Sequence, residues 1–153
     1  MLQQLTGSLI GEGIRSAATT TRELVNPATE QSFHALTDAA PDDVDRAAQV
    51  AHQSWEHSWR SLNPGGRAAL LHKLANLIEA NADQLSELDS RSMGKPLAAA
   101  RGEVLAGAQT FRYYAGALSF PKGDVIPVAR GGFDFTLRQP LGVVACIVPW
   151  NFP

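Results

Sequence analysis

The strongest constraint on this chain sits at its carboxyl end. Val143-Val144-Ala145-Cys146-Ile147-Val148 is apolar at every position, with no polar alternation. A strand with one wet face would alternate. An unbroken apolar run is the pattern of a strand covered on both faces, as in a parallel sheet. Such a strand needs a neighbour on each side, and a parallel neighbour needs a crossover of a dozen residues or more. Only Pro149-Trp150-Asn151-Phe152-Pro153 comes after the run. The sequence therefore reads as cut at the carboxyl end of a strand, the place where α/β proteins put their ligand sites.

Composition narrows the class. With 153 residues, 44% hydrophobic and 18% charged, the chain suits one ordinary domain with a real core, not a disordered or fibrous one. The formal charge is -2 and the basic residues are scattered, so no electrostatic footprint for nucleic acid exists. One cysteine excludes an internal disulfide framework and a multi-Cys zinc site. No apolar run reaches the roughly 18 residues of a membrane span. The N-terminus lacks a basic flank before a long apolar stretch, unlike a signal peptide. The expectation is a cytoplasmic protein with neither a nucleic-acid nor a membrane partner.

Local signals divide the chain into four stretches. Residues 1–20 carry no strong period and read as a flexible segment with a turn. Gly11, Gly13 and Ser16 only approach a dinucleotide-loop spacing, because the third glycine is missing. Residues 21–120 open with a hairpin over 22–37, turning at Asn26-Pro27-Ala28-Thr29. A helix over 41–60 comes next, with Pro41, Asp42 and Asp43 in its first turn and Val44, Ala47, Ala48, Ala51 and Trp55 on one face. Asn63-Pro64 starts a second helix, with Leu70, Leu71, Leu74, Leu77 and Ile78 inward. Asn81 is expected to cap a third, with Leu85 and Leu88 inward, closed by Gly94 and Pro96. A fourth helix spans about 97–118, with Leu97, Val104, Ala108, Phe111, Ala115 and Leu118 as its stripe. Gly102 and Gly107 inside it predict something packed closely against them. Residues 121–139 read as two strands around Arg130-Gly131-Gly132, and 140–153 as the buried strand and its loop.

Asn151 is the residue with chemical potential. Prolines flank its loop and restrict φ, so its amide N–H₂ could be aimed at a fixed point, as an oxyanion hole requires. Asparagine is equally a common turn residue that satisfies local backbone, and spacing alone leaves both readings open.

Pro140 to Pro153, PLGVVACIVPWNFP, resembles the P-x-G-V-x-x-x-I-x-P-W-N-F-P segment of the NAD(P)-dependent aldehyde dehydrogenase superfamily. Further matches are collinear. They are the Asn26-Pro27-Ala28-Thr29 turn, Asp43-Val44-Asp45, the helices Arg67 to Ile78 and Asn81 to Leu88, Gly94-Lys95-Pro96, Glu103, and Tyr113-Tyr114-Ala115. The resemblance runs from about residue 9 to the end and covers only the amino-terminal third of such enzymes. It implies an α/β, aldehyde-dehydrogenase-like fold: amino-terminal helices, a hairpin, and the first strand of a Rossmann-like cofactor domain, incomplete at its carboxyl end. It also implies oxidation of an aldehyde to a carboxylic acid with NAD or NADP through a thiohemiacetal. Asn151 then matches the oxyanion-stabilising asparagine. Val148, Pro149 and Trp150 match residues whose backbone lines the nicotinamide-ribose side of the cofactor cleft. The nucleophilic cysteine, the catalytic glutamate and the cofactor lysine would lie beyond residue 153. The hairpin at 121–139 matches one that helps build a subunit-bridging sheet, which implies a homo-oligomer at full length.

The match has departures. The early I-G-G-x-W pattern reads Ile10-Gly11-Glu12-Gly13-Ile14, without the tryptophan, and Ser92 stands where several members carry an aspartate near a cation site. No metal ligand is therefore assigned. Cys146 lies within the apolar run and is expected to pack as a small hydrophobe. His34, His52, His57 and His72 show no ligand spacing. The tryptophans, Phe111 and the Tyr113-Tyr114 pair are expected in the core or at subunit contacts. The alternative is a non-catalytic truncated paralogue, acting as an oligomerisation or interaction module through its hairpin. An unrelated helical binding domain would leave the PWNFP segment unexplained.

Overall fold

The computed structural model describes residues 6–15 and 18–152. Ser16 and Pro153 lie outside the described residues, as do residues 1–5 of the expected flexible segment. Strands β1 (Ser8–Ile10) and β2 (Gly13–Arg15) pair antiparallel around Gly11-Glu12, so part of that segment is a tight hairpin. Strands β3 (Thr21–Asn26) and β4 (Gln31–Thr37) form the hairpin expected over 22–37. Its turn closes through local bonds. The Asn26 side chain accepts from the Ala28 N–H at 2.9 Å, and the Asn26 carbonyl accepts from Glu30 at 2.8 Å, an Asx turn of the kind Asn-Pro promotes.

Four helices come next among the described residues: α1 (Pro41–His57), α2 (Pro64–Ala80), α3 (Ala82–Met93) and α4 (Leu97–Ala117). Their limits are set locally. Pro41 and Pro64 stand at first-turn positions, where a missing N–H costs nothing. Asp43 reaches back to accept the Ala40 N–H at 2.9 Å, and Asn63 accepts from Gly66 at 2.8 Å, each satisfying an orphan donor. Asn81 differs from expectation. Its amide donates to the Leu77 carbonyl at 2.7 Å, so it closes α2 and makes no side-chain cap on α3. Gly94 ends α3 with φ 76°, and a Cβ there would lie 3.0 Å from Pro27 Cγ. That position excludes a side chain twice over, and it docks the β3–β4 turn onto the end of α3.

α4 packs along α2 and α3. The fully buried positions are small: Ala75 on α2, Ala82 and Ser86 on α3, and Ala100, Ala108 and Ala115 on α4. Small residues at the crossing let helix axes approach closely. Ion pairs and amides border the seam. Arg112 bonds Glu79 and Asn76, Gln109 bonds Glu79, and Arg101 bonds Asp83. The expected leucine face of α2 is largely open. Leu70, Leu74 and Leu77 are exposed, Leu77 at 52%, and only Leu71 and Ile78 are half-buried. The apolar period was right for a helix, but α2 meets α4 on its alanine side. Likewise Val44 on α1 and Leu88 on α3 are exposed. Tyr113 and Tyr114 stack edge to face at 5.3 Å but stand exposed on α4, not in a core.

Gly102 and Gly107 do not bear a close neighbour. A Cβ at either position meets nothing within 4 Å. Both are helix-interior glycines, so Gly102→Ala and Gly107→Ala should each stabilise the chain by about 0.5–1 kcal/mol. Urea unfolding of each variant checks this through a raised midpoint at unchanged slope.

The expected hairpin over 121–139 is present as β5 (Val125–Ile126) and β6 (Asp134–Phe135), pairing Val125 with Phe135 and Ile126 with Asp134. Gly123 is required at its base, because a Cβ would overlap the Thr136 carbonyl oxygen. The class is α/β, but all strand pairing among the described residues is in two-stranded antiparallel ribbons. Residues 143–148 carry no ladder, and Ile147 is 99% exposed. The expected doubly covered strand is thus uncovered here, since a strand exists only where a partner supplies the bonds. Cys146 is exposed for the same reason, which corrects its assignment to packing. It should label completely with a maleimide under native conditions, without prior unfolding, as mass spectrometry would show.

Candidate active site

The candidate site is built by the last described turn. The apolar run leads from Val148 into Pro149-Trp150-Asn151-Phe152, where the Phe152 N–H donates to the Pro149 carbonyl at 3.3 Å. Trp150 and Asn151 are the two central residues of that turn. Trp150 is 87% exposed, and Val148 and Asn151 are exposed as well. Among the described residues no hydrogen bond ties the Asn151 amide to the turn backbone. That separates the two readings of this residue. A turn-satisfying asparagine engages its own backbone, as Asn26 does. Asn151 keeps both donors free to meet another group.

The turn rests on a polar cluster at the α3–α4 junction. The Lys95 ammonium lies 4.2 Å from the centroid of the Phe152 ring. The same ammonium donates to Glu103 Oε2 on α4 and stands 3.6 Å from Asp89 Oδ2 on α3. The Lys95 side chain is only 10% exposed. Its hydrogen bond to Glu103 raises its pKa above the ordinary lysine value; partial burial opposes this and the Asp89 charge adds to it. It therefore stays protonated through neutral pH. The backbone is fixed too, because the Ser90 hydroxyl donates to the Lys95 carbonyl at 2.7 Å.

Val148, Pro149, Trp150 and Asn151 are thus brought together by sequence adjacency, at the end of the apolar run. Their backbone groups carry no ladder bonds among the described residues, and the Pro149 carbonyl is taken by the turn bond to Phe152. Phe152 escaped sequence reasoning. No local signal pairs this ring with Lys95, because the two meet only through the fold. A concavity lies elsewhere, between Trp55 of α1, Trp59 just beyond its end and the stretch Pro140–Val144. The histidines sit apart: His57 Nδ1 meets the Gln53 carbonyl at 2.8 Å, and His52 lies 3.5 Å from Glu56. No helix among the described residues is long and apolar enough to cross a membrane.

Comparison with known proteins gives a consistent result. A family model described as the aldehyde dehydrogenase family matches residues 14–153. The chain is similar to the NADP/NAD-dependent aldehyde dehydrogenase PuuC of Escherichia coli, 35% identical over 145 residues, 94% of this chain and 29% of that protein. A variant aldehyde dehydrogenase structure from Bacillus cereus superposes with a TM-score of 0.85 at 35% identity, covering 94% of this chain and 30% of the other. A Bacillus cereus aldehyde dehydrogenase in an NAD+ complex superposes at 0.78 with 32% identity, covering 86% and 28%. The chain spans less than a third of the length of these relatives.

Proposed function

The chain belongs to the aldehyde dehydrogenase family, and from that premise we propose that it supplies the amino-terminal part of an NAD(P)-dependent oxidoreductase that turns an aldehyde into a carboxylic acid. The observation that carries the proposal is the exposed Asn151 amide, free of backbone bonds, on a proline-bounded turn. In the proposed reaction a cysteine thiolate supplied from beyond residue 153 attacks the aldehyde carbonyl. Negative charge develops on the carbonyl oxygen, and the Asn151 N–H₂ donates to it. A donor oriented in advance needs no reorganisation as charge appears. The exposed backbone of Val148, Pro149 and Trp150 would take hydroxyls on the nicotinamide-ribose side of NAD or NADP. When bound, that cofactor accepts the hydride from the thiohemiacetal.

Phe133, Phe135 and Leu137 of the β5–β6 ribbon are exposed, and a short ribbon with open edges favours addition of another strand. We therefore assign it to contacts between identical subunits of a homo-oligomer. The same exposure supports the second reading, an interaction module without catalysis of its own. A cytoplasmic setting fits both readings, given the lone exposed thiol.

The test is aldehyde-dependent formation of reduced cofactor over a broad aldehyde panel with NAD+ and NADP+. The protein in which this chain continues into a segment bearing the cysteine and glutamate should be active, and residues 1–153 alone should not. Absence of activity in the longer protein would leave the interaction module as the reading. Activity in the short chain would overturn the assignment of the nucleophile to a later segment.

A further inference from the structure

The reading of Asn151 as oxyanion donor leaves open what holds its turn in place, since the turn has a single internal backbone bond. One side chain reaches it from outside. The Lys95 ammonium sits 4.2 Å from the Phe152 ring centroid while bonded to Glu103 and facing Asp89. We infer that Lys95 is a positioning residue for the active-site turn, clamping Phe152 by a cation–π contact and thereby aiming the adjacent Asn151 amide. The arrangement suits that task. Carboxylates from α3 and α4 pin the ammonium, so its place is set by the helical body, and its remaining face is offered to the ring. A desolvated ammonium over an aromatic face binds more strongly than an exposed one, and Lys95 is only 10% exposed. The helices thereby hold the turn through one ring.

The inference rests on the proposed role of Asn151, and its test separates the two. Phenylalanine analogues with progressively more ring fluorine are placed at position 152 in the active, longer protein. Fluorine withdraws the negative charge of the ring face while leaving its volume nearly unchanged, so the fold is preserved. The acylation-limited kcat should fall stepwise across the series, reaching roughly 10- to 100-fold as the amide loses its aim. KM for the cofactor should stay within about twofold, because those contacts are backbone. Lys95→Arg should retain most activity, whereas in Lys95→Met the fluorine series should be flat. A flat series in the parent protein overturns the inference, as does a series just as steep in Lys95→Met. Should Lys95→Met fail to fold, the parent series alone still decides. In the 153-residue chain, the fluorine resonance of a singly fluorinated Phe152 should also move between the parent and Lys95→Arg; an unmoved resonance counts against the contact. Full acylation by Asn151→Ala would instead defeat the oxyanion reading itself, whatever the fluorine series shows.

Discussion

Replacing Asn151 by alanine in the active protein is expected to lower kcat by roughly 10²–10³-fold, about 2.7–4 kcal/mol of transition-state stabilisation. The loss is large because the amide would act only once the carbonyl oxygen carries charge. An interaction made only in the transition state lowers kcat and kcat/KM together. Cofactor affinity should barely change, since the neighbouring groups assigned to it are backbone atoms of Val148, Pro149 and Trp150. Stability should also hold, because the Asn151 side chain is exposed and bonds nothing in its turn. Single-turnover measurement of the first reduced-cofactor burst checks the effect directly. A burst at the parent rate would return Asn151 to the role of a turn residue.

The second large effect falls on the helical body. Ala108→Leu should destabilise the chain by about 3 kcal/mol, the upper part of the usual range for overpacking. Ala108 is 0% exposed on α4, which packs against α2 and α3. Arg112 and Gln109, bonded to Glu79 across the seam, leave it no room to tilt away. A leucine would push α4 off α2 and break those bonds together. Ala99→Leu, on an exposed position of the same helix, is the control and should shift stability by less than about 0.5 kcal/mol. Chemical unfolding followed by helix content compares the two. Equal midpoints would mean that the α2–α4 seam is not the part that unfolds.

The elements of this protein were legible wherever their signals were local. Pro41, Asn63-Pro64, Gly94-Lys95-Pro96 and Asn26-Pro27 act on their own few residues through φ, a missing N–H or a side-chain bond, so they mark boundaries without reference to anything distant. The Arg130-Gly131-Gly132 hairpin was readable on the same grounds.

Burial and bonding partners were decided only in three dimensions. Periodicity finds the apolar side of α2 but cannot tell which part of that side meets another helix. Ala75, Ala100 and Ala108 took the seam because small side chains allow the closest approach, leaving Leu74 and Leu77 outside it. Asn81 could have capped either helix, and its side-chain amide joins its own backbone N–H on the Leu77 carbonyl. Gly102 and Gly107 read as contact points, yet among the described residues nothing lies within 4 Å of a Cβ built at either. Residues 143–148 have the composition of a buried strand and neither burial nor a ladder, because both must be supplied by other chain segments. The Lys95–Phe152 contact joins residues far apart in sequence. An ammonium and a ring carry no mutual signal until the α3–α4 junction and the final turn are folded against each other.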